Sequence, residues 1–312
     1  MYQRHFDNYL ASPLVFHAAV AENTERIGLG TAIIGVRYED PVLLAEAAAT
    51  ADLLCGGRLQ LGLGTGQGGY DAAFGQPAGD GREQSQIRLT TFLAAVRDEP
   101  VGRVDDPSGL VAAGTELRVR PHSPGLPGRV WYGAGSVGSA RRVGGQGLNL
   151  LLSTILSGTV DDYGAELARA ASAYREAYRA TGAAGTPRVA VARSVLPATS
   201  PELARRYADY DAERRSQGPA ASRPDGALAP GRPAPGRFTM SPVFHGDPAA
   251  VVEDLLADPS VAASEELIAF LPPHFGLREN LRLIEDIAER VAPQLGWAPA
   301  TRTRTSDETR TP

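Results

Sequence analysis

Gly133-Ala134-Gly135-Ser136, followed by Val137-Gly138-Ser139 and Ala140-Arg141-Arg142-Val143, is the stretch whose residue types fit a definite chemistry. An apolar run, Val130-Trp131-Tyr132, enters it, and a second, Leu148-Asn149-Leu150-Leu151-Leu152, leaves it toward Ser153-Thr154. Strand, glycine turn, short helix and strand make half of an α/β repeat. Glycines let backbone N–H groups converge at a helix start, where the dipole favours an anion. Ser136 and Ser139 add hydroxyls, and Arg141 and Arg142 bring positive charge nearby. One reading is a phosphate cradle for a nucleotide-like cofactor. The other is a tight βα turn with Ser139 as a plain N-cap, and the stretch alone does not separate them. No acidic residue follows at the ribose-reading distance, which disfavours a Rossmann dinucleotide site.

The elements that must hold this stretch alternate along the chain. Six apolar strands are predicted, at 26–35, 58–64, 130–132, 148–152, 188–195 and 265–271, with the first apolar on both faces, as in parallel sheets. Helices are predicted over 14–21, 42–54, 83–97, 161–181, 201–215, 248–257 and 277–295, with Ser12-Pro13 and Asp40-Pro41 as starts and Gly56-Gly57 as an exit. A short hairpin is predicted near 115–119, inside an otherwise irregular 98–128. The strands end in small or polar residues, among them Ala32, Gly64, Gly133, Ser153 and Arg193. That alternation means a parallel sheet with helical crossovers. Polar residues gathered at strand C-termini favour a closed barrel, whose active sites lie at that end.

Residues 1–297 read as one (β/α) barrel domain and 298–312 as a disordered polar tail. A flexible excursion at 216–240, rich in Pro, Gly and Arg, interrupts the barrel and is a candidate lid. At 43% hydrophobic, the 312 residues suffice for a full core, and the net charge of −5 gives no basic surface for nucleic acid. Every basic side chain is arginine, since lysine is absent. The single cysteine, Cys55, excludes an internal disulfide and fits a reducing cytoplasm. With no leader pattern and no apolar run of spanning length, a soluble cytoplasmic protein is expected.

With the strands placed, the chain resembles the luciferase-like monooxygenase family of flavin-dependent oxidoreductases. The likeness rests on Arg4-His5-Phe6, Leu10-Ala11-Ser12-Pro13, Thr24-Glu25-Arg26-Ile27 and Gly30-Thr31-Ala32. It continues through Arg37-Tyr38-Glu39-Asp40-Pro41, Ala45-Glu46 and Gly56-Gly57-Arg58-Leu59-Gln60-Leu61-Gly62. It resumes at 130–136 and 147–154 and ends in Val291-Ala292-Pro293-Gln294-Leu295-Gly296-Trp297. The resemblance implies a (β/α)8 TIM barrel of the luciferase-like type. It also implies FMN, or the deazaflavin F420, at the C-terminal mouth, and dimers paired through helices 14–21 and 42–54. Gly135 and Ser136 match residues that meet the cofactor phosphate, with Gly133 and Ala134 in the same turn and Ser139 nearby, so the likeness decides for the cradle. Ala32-Ile33 matches a strand end that carries a non-proline cis peptide beneath the isoalloxazine ring. Ser153 and Thr154 would sit beside that ring, and Gly64 and Thr65 would close the neighbouring strand at the phosphate.

Three departures accompany the likeness. Relatives begin with a strand, a helix and a second strand before the His-Phe element, whereas only Tyr2 to His5 of that second strand is matched here. The first strand and helix are therefore expected to be lacking, which leaves a barrel that associates, takes a partner or begins upstream. Luciferases carry two consecutive histidines where this chain has Arg4-His5, and Thr65 stands where relatives commonly carry a phosphate-pairing arginine. The expected function is a flavin-dependent oxidoreductase acting on a small organic substrate, by oxygen activation with FMN or hydride transfer with F420. The alternative is a catalytically impaired flavin-binding or dimer-partner subunit. His5 is the candidate catalytic residue, because imidazole exchanges protons near neutral pH; its plainer role is a hydrogen bond at the rim. His17 reads as packing, and Arg193 as an anion contact or a structural ion pair. A flavin reductase is a further implied partner, and no metal is expected.

Overall fold

The structure, a computed structural model, describes residues 10–66, 70–76, 81–106, 111–183, 185–217 and 238–298. Its helices are α1 (Pro13–Ala21), α2 (Pro41–Leu54), α3 (Arg82–Val96), α4 (Val137–Gly145), α5 (Tyr163–Ala180), α6 (Pro201–Gln217), α7 (Pro248–Ala257), α8 (Pro259–Ala262) and α9 (Gly276–Asp286). Its strands are β1 (Leu29–Gly35), β2 (Leu59–Gly64), β3 (Gly102–Arg103), β4 (Glu116–Leu117), β5 (Val130–Ala134) and β6 (Asn149–Leu152). They continue with β7 (Ile155–Ser157), β8 (Val189–Pro197), β9 (Phe238–Met240), β10 (Val243–Gly246) and β11 (Glu266–Phe270).

Local chemistry accounts for the helices. The Asp40 carboxylate caps α2 by accepting from Val42 N at 2.9 Å and Leu43 N at 3.0 Å, and Pro41 opens the first turn. Asp162 caps α5 through Ala165 N at 2.9 Å. Leu167, Ala170, Ala171, Tyr174 and Tyr178 then recur at helical spacing on its buried face. The closing helix departs from expectation. It is α-helical only through Asp286, then widens to a π turn over 287–291 and tightens to a 3-10 turn over 292–295. Pro293 carries no N–H and cannot continue the ladder.

Seven strands form one sheet in the order β1-β2-β5-β6-β8-β10, with β11 also paired to β8. Every pairing in it is parallel. Ala190 and Val191 pair with both β6 and β11, so these two flank β8 on opposite sides, and β10 pairs along 194–197. Alternation sorts the side chains into two layers. Trp131, Leu151 and Ala190 pack with Ala32, Ile33 and Ile268 in the lumen. Tyr132, Leu150 and Val191 face outward, against Leu89 and Phe92 of α3 and Leu167 of α5. The predicted α/β barrel architecture is therefore present.

Six parallel strands were expected, and β10 is the seventh. Its four residues, Val-Phe-His-Gly, lie between Pro242 and Asp247-Pro248, too short for a periodic signal. The hairpin at 116–117 forms, with Gly102-Arg103 as its partner. A second short pair, β7 with β9, runs antiparallel across the strand ends. Helix α6 extends through Gln217 and β9 starts at Phe238, so both ends of the expected 216–240 excursion carry regular structure. The excursion's middle (218–237), the tail from 299 onward and the chain start at 1–9 lie outside the described residues.

The N-terminal end of the barrel is sealed by polar knots. Fully buried Asp52 accepts from Arg129 Nη2 at 2.5 Å, Ser123 Oγ at 2.5 Å and Leu59 N at 3.2 Å. Trp131 Nε1 donates to Gln60 Oε1 at 2.9 Å, and Arg188 stacks 4.6 Å over the Trp131 ring while pairing with Glu266. His17 is packing, as expected. It is buried against the Gly30 carbonyl, with Nε2 at 3.1 Å, and burial holds it below the ordinary imidazole range.

The other end is organised by one contact. The β1–β2 register shifts between Thr31 and Ile34. Across the shift Thr31 Oγ1 donates to the Gly62 carbonyl at 2.8 Å and accepts from Gly62 N at 2.9 Å. A side chain thus completes the ladder where the backbone has swung away. Gly62 must lack a side chain, because a methyl there would overlap the Thr31 carbonyl and come within 2.8 Å of Leu151 Cδ1. Gly62→Ala should cost about 3 kcal/mol by overpacking. Thr31→Val should cost about 2–6 kcal/mol by stranding two buried backbone groups, at about 1–3 kcal/mol each. Urea unfolding checks both, and a loss below ~0.5 kcal/mol in either variant would contradict this account.

Candidate active site

The C-terminal strand ends converge on Ile33. The Ala32–Ile33 peptide bond is cis, as the resemblance implied, and both residues belong to the lumen cluster. A side chain at Gly64 would overlap Ile33 Cδ1, and one at Gly133 would stand 3.5 Å from Ile33 Cγ2. Ile33, Gly64 and Gly133 therefore form one smooth floor across β1, β2 and β5. Around them the strand ends are tied in series. Val36 N donates to the Gly64 carbonyl at 2.9 Å, Ser153 N to Ala134 O at 3.3 Å and Ser157 N to Gly135 O at 3.2 Å.

The turn after β5 is a reciprocal capping box. Ser136 Oγ accepts from Ser139 N at 3.2 Å, and Ser139 Oγ accepts from Ser136 N at 3.1 Å. The two hydroxyls are also 3.1 Å apart, and Ser139 Oγ donates to the Ser136 carbonyl at 2.8 Å. The cap therefore belongs to Ser136, where the plainer sequence reading gave it to Ser139. Ser139 N is used by the box and Ala140 N by the Ser136 carbonyl at 3.0 Å. That leaves Val137 N and Gly138 N, among the described residues, as the unengaged donors of the first turn, and a methyl built on Gly138 would meet nothing within 4 Å. The helix start thus has both room and directed N–H groups for an anion, and the serine hydroxyls can rotate toward one.

Thr65 does not face open space. Its hydroxyl lies 3.2 Å from Tyr132 OH, on the helix-facing side of the sheet. Burial pushes the Tyr132 phenol up, against the opposing pull of Thr65, Gln86 and Arg142. Ser153 is also engaged: its Oγ accepts from Ile155 N at 3.0 Å, and its carbonyl accepts from Tyr163 OH at 2.8 Å. Of the residues expected at the site, Ala32, Ile33, Gly64, Gly133, Ala134, Gly135 and Ser153 gather at the mouth, with Ser136 and Ser139 at the α4 start. His5, the catalytic candidate, lies outside the described residues.

Several pairings at this end have no pattern in the sequence. Arg37 follows β1, is buried, and pairs with Asp71 at 2.6 Å. Tyr38 stacks on Phe74 with centroids 4.5 Å apart, and its hydroxyl accepts from Tyr70 N at 3.1 Å. Together they pin the 70–76 segment beside the strand ends. Arg37 stood in a quoted motif, but Asp71 is an isolated acid in a loop, and only the fold pairs them. Arg193 resolves to a structural ion pair. It is fully buried, with Nε 2.8 Å from Asp258 Oδ2, Nη2 on Ser260 Oγ, and its guanidinium 5.2 Å from the Tyr163 ring centroid.

Residues 1–269 match the family model for luciferase-like monooxygenases, and the chain belongs to that family. It is 39% identical over 120 residues to a 4-hydroxyprotoasukamycin monooxygenase from Streptomyces nodosus subsp. asukaensis, covering 38% of this chain and 32% of the relative. It is 37% identical over 83 residues to an F420-dependent glucose-6-phosphate dehydrogenase from Beutenbergia cavernae, covering 26% of this chain and 24% of that protein. The chain thus spans a third or less of either relative. Among solved structures, the oxygenating constituent of 3,6-diketocamphane monooxygenase from Pseudomonas putida, in complex with FMN, superposes with a TM-score of 0.63. That pair shares 18% identity over 94% of this chain and 87% of the other, a likeness of fold. No helix among the described residues is long and apolar enough to cross a membrane.

The Arg193–Asp258 pair makes stability pH-dependent. Burial raises the Asp258 carboxyl, but the Arg193 hydrogen bond and charge, joined by Ser260, outweigh it and hold the carboxyl below its ordinary range. A carboxyl depressed on folding contributes fully above its unfolded pKa of about 3.9, and that contribution is lost as pH falls through the folded value. Asp258→Asn should cost about 3–5 kcal/mol at neutral pH by leaving Arg193 buried without its acid. It should also flatten the loss of stability below pH ~4. Urea midpoints measured from neutral to acid pH check this, and parallel curves for the two proteins would contradict it.

Proposed function

We propose that this protein is a flavin-dependent oxidoreductase that holds FMN or F420 at the C-terminal mouth and acts on a small organic substrate. The observation that carries the reading is the smooth floor of Ile33, Gly64 and Gly133 beside an α4 start with two unengaged N–H groups. A flat ring can rest on the Ile33 side chain, which lies level because Gly64 and Gly133 leave it room, and a phosphate fits a helix start that has open donors. When bound, the cofactor would supply hydride transfer, or oxygen activation in the flavin case. The chain's part is to anchor, orient and shield it. Val137 N, Gly138 N and the Ser136 and Ser139 hydroxyls would hold the phosphate. Ala32, Ile33, Gly64 and Gly133 would support the ring, Ala134, Gly135 and Ser153 would fix the neighbouring strand ends, and His5 would exchange protons. Relatives and structural neighbours include both F420-dependent and FMN-bound proteins, which supports the cofactor class and leaves both members in the proposal.

A second reading has its own support. Ser136 and Ser139 satisfy each other, and Thr65 is bonded to Tyr132, so less of the site is poised for a phosphate than an arginine at 65 would provide. A subunit of this fold that binds flavin weakly, or serves as a dimer partner, fits those bonds. Titration of the purified chain with FMN and with F420, read by cofactor fluorescence, separates the readings. On the enzyme reading one cofactor binds saturably. Ser136→Asp weakens it by about 1.5–3 kcal/mol, roughly ten- to a hundredfold, because a carboxylate replaces a donor to phosphate. Thr65→Arg should tighten it by about tenfold, a gain that shrinks as salt rises. Saturable binding left unchanged by Ser136→Asp would remove the phosphate from the α4 start.

We further propose that the chain pairs through α1 and α2. Val15 and Phe16 on α1, and Leu43, Leu53 and Leu54 on α2, are exposed apolar side chains on two helices packed together. Phe16→Glu with Leu43→Glu should convert a dimer to monomer in sedimentation experiments while leaving cofactor affinity within about twofold. A parent that sediments as a monomer would refute the pairing.

A further inference from the structure

Helix α6 does not lie on the outer face of the sheet. Outward-facing Val195 and Phe244 pack on Val251, Val252 and Leu255 of α7, whereas Leu196 and Val243, on the opposite face, pack on Tyr207 of α6. That opposite face is the one carrying Ala190, which packs with Ala32 and Ile33 in the lumen. Ser194 lies four residues further along β8 on the same face, about 13 Å nearer the mouth at a strand's rise. There it meets Arg214, a late residue of α6.

Arg214 is half-buried. Its Nη1 donates to Ser194 Oγ at 3.1 Å and Ser241 O at 3.2 Å, and both Nη atoms lie 3.4 Å from Ser241 Oγ. Ser194 and Ser241 are themselves almost wholly inaccessible. Most other inward arginines are neutralised or saturated, although Arg88, in the same burial class, meets only the Arg37 carbonyl and Gln76 Oε1 among the described residues. Arg37 holds Asp71, Arg129 holds Asp52 and Arg193 holds Asp258, while Arg58 spends its three nitrogens on five oxygens. Arg214 has only hydroxyls and one carbonyl, with no carboxylate among the described residues within 4.0 Å. Asp211, one turn back on α6, acts on it only at a distance and faces His245 Nε2 at 3.8 Å. Nε of Arg214 makes no hydrogen bond among the described residues, so on the Nε–Nη2 edge, the half of the fork that grips a planar oxyanion, only Nη2 is engaged, by the long contact to Ser241 Oγ. Ser241 N donates to Thr154 O at 2.9 Å, which seats this cluster directly beside Ser153-Thr154.

We propose that Arg214, flanked by Ser194 and Ser241, receives an anionic group of the substrate, a carboxylate or similar planar oxyanion. A cation taken from water without an acid partner is costly, and a ligand's negative charge removes that cost on binding. The substrate class that follows is a small organic acid whose charged end lies on β8 and α6, with its reacting end toward the floor at Ile33. This rests on the mouth being the reaction site, as proposed above.

The test uses the full chain, with benzoate as probe and benzamide as its neutral counterpart, at constant ionic strength. Thermal shift should rise saturably with benzoate and not with benzamide. Arg214→Gln should weaken the benzoate response at least about tenfold, Arg214→Lys less so, because lysine keeps the charge without the fork. Ser136→Asp should leave the response in place, which separates this site from the α4 start. Cofactor affinity of Arg214→Gln should stay within about twofold of the parent. Equal responses to benzoate and benzamide, an undiminished response in Arg214→Gln, or a matching loss of cofactor affinity would each overturn the assignment. Should Arg214→Gln fail to fold by circular dichroism, Ser241→Ala takes its place, with a several-fold weaker benzoate response expected and an unchanged one refuting the site. A parent that binds neither FMN nor F420 but still responds to benzoate would sink the oxidoreductase reading, a result distinct from failure of the anion site.

Discussion

The mouth of this barrel depends on Thr31 and Gly62 exchanging two hydrogen bonds through one side-chain hydroxyl. A parallel ladder interrupted in its middle would leave buried N–H and C=O groups without partners, a cost of about 1–3 kcal/mol each. The threonine hydroxyl, donor and acceptor at once, meets both needs and lets β1 depart from the register for two residues. Ile33 can then lean across Gly64 and Gly133. The floor of the candidate site therefore follows from ladder repair two residues earlier on both strands. Hydroxyl, glycines and bulge form one unit.

A second constraint is the handling of charge. With arginine as the sole basic residue besides histidine, each buried cation needs a planar, fixed partner, and the fold supplies them at distinct levels. Asp52 with Arg129 closes the N-terminal end, Asp258 with Arg193 fastens α8 to the outside of β8, and Asp71 with Arg37 pins a loop at the mouth. Among the described residues Arg214 has only neutral oxygens as neighbours, as Arg58 and Arg88 do, but it has them on the lumen side of β8, next to Ser194 and Ser241. Cations already paired hold elements together, and one left without an acid is available to a ligand.

At the α4 start a structural motif and the proposed phosphate site draw on one set of atoms. The capping box fixes where the helix begins, and by using Ser139 N it determines which N–H groups remain free. The geometry needs no rearrangement of the backbone to hold an anion, only rotation of two hydroxyls.

Much of this was legible in the chain itself. The strand–glycine–helix pattern around Gly133 to Ser139, the alternation of apolar runs with capped helices, and the motif order that identifies the family are local or nearly so. Period, turn residues and caps act over a few residues, so the sequence displays them directly. The cis bond at Ala32–Ile33 followed from family likeness rather than from residue chemistry, because nothing about Ala-Ile favours it. What the sequence did not display is pairing at long range. Asp71 with Arg37, Tyr163 with Ser153 and Arg214 with Ser194 join residues brought together only by strand order and helix packing. The four residues of β10 are a strand because β8 offers an edge to pair with, and Arg193 is structural because Asp258 caps α8 beside it. Composition and spacing determined the architecture and the end of the barrel where chemistry belongs. Tertiary structure alone decided which polar groups spend their hydrogen bonds on the fold and which keep them for a ligand, because that depends on what lies opposite each group in space.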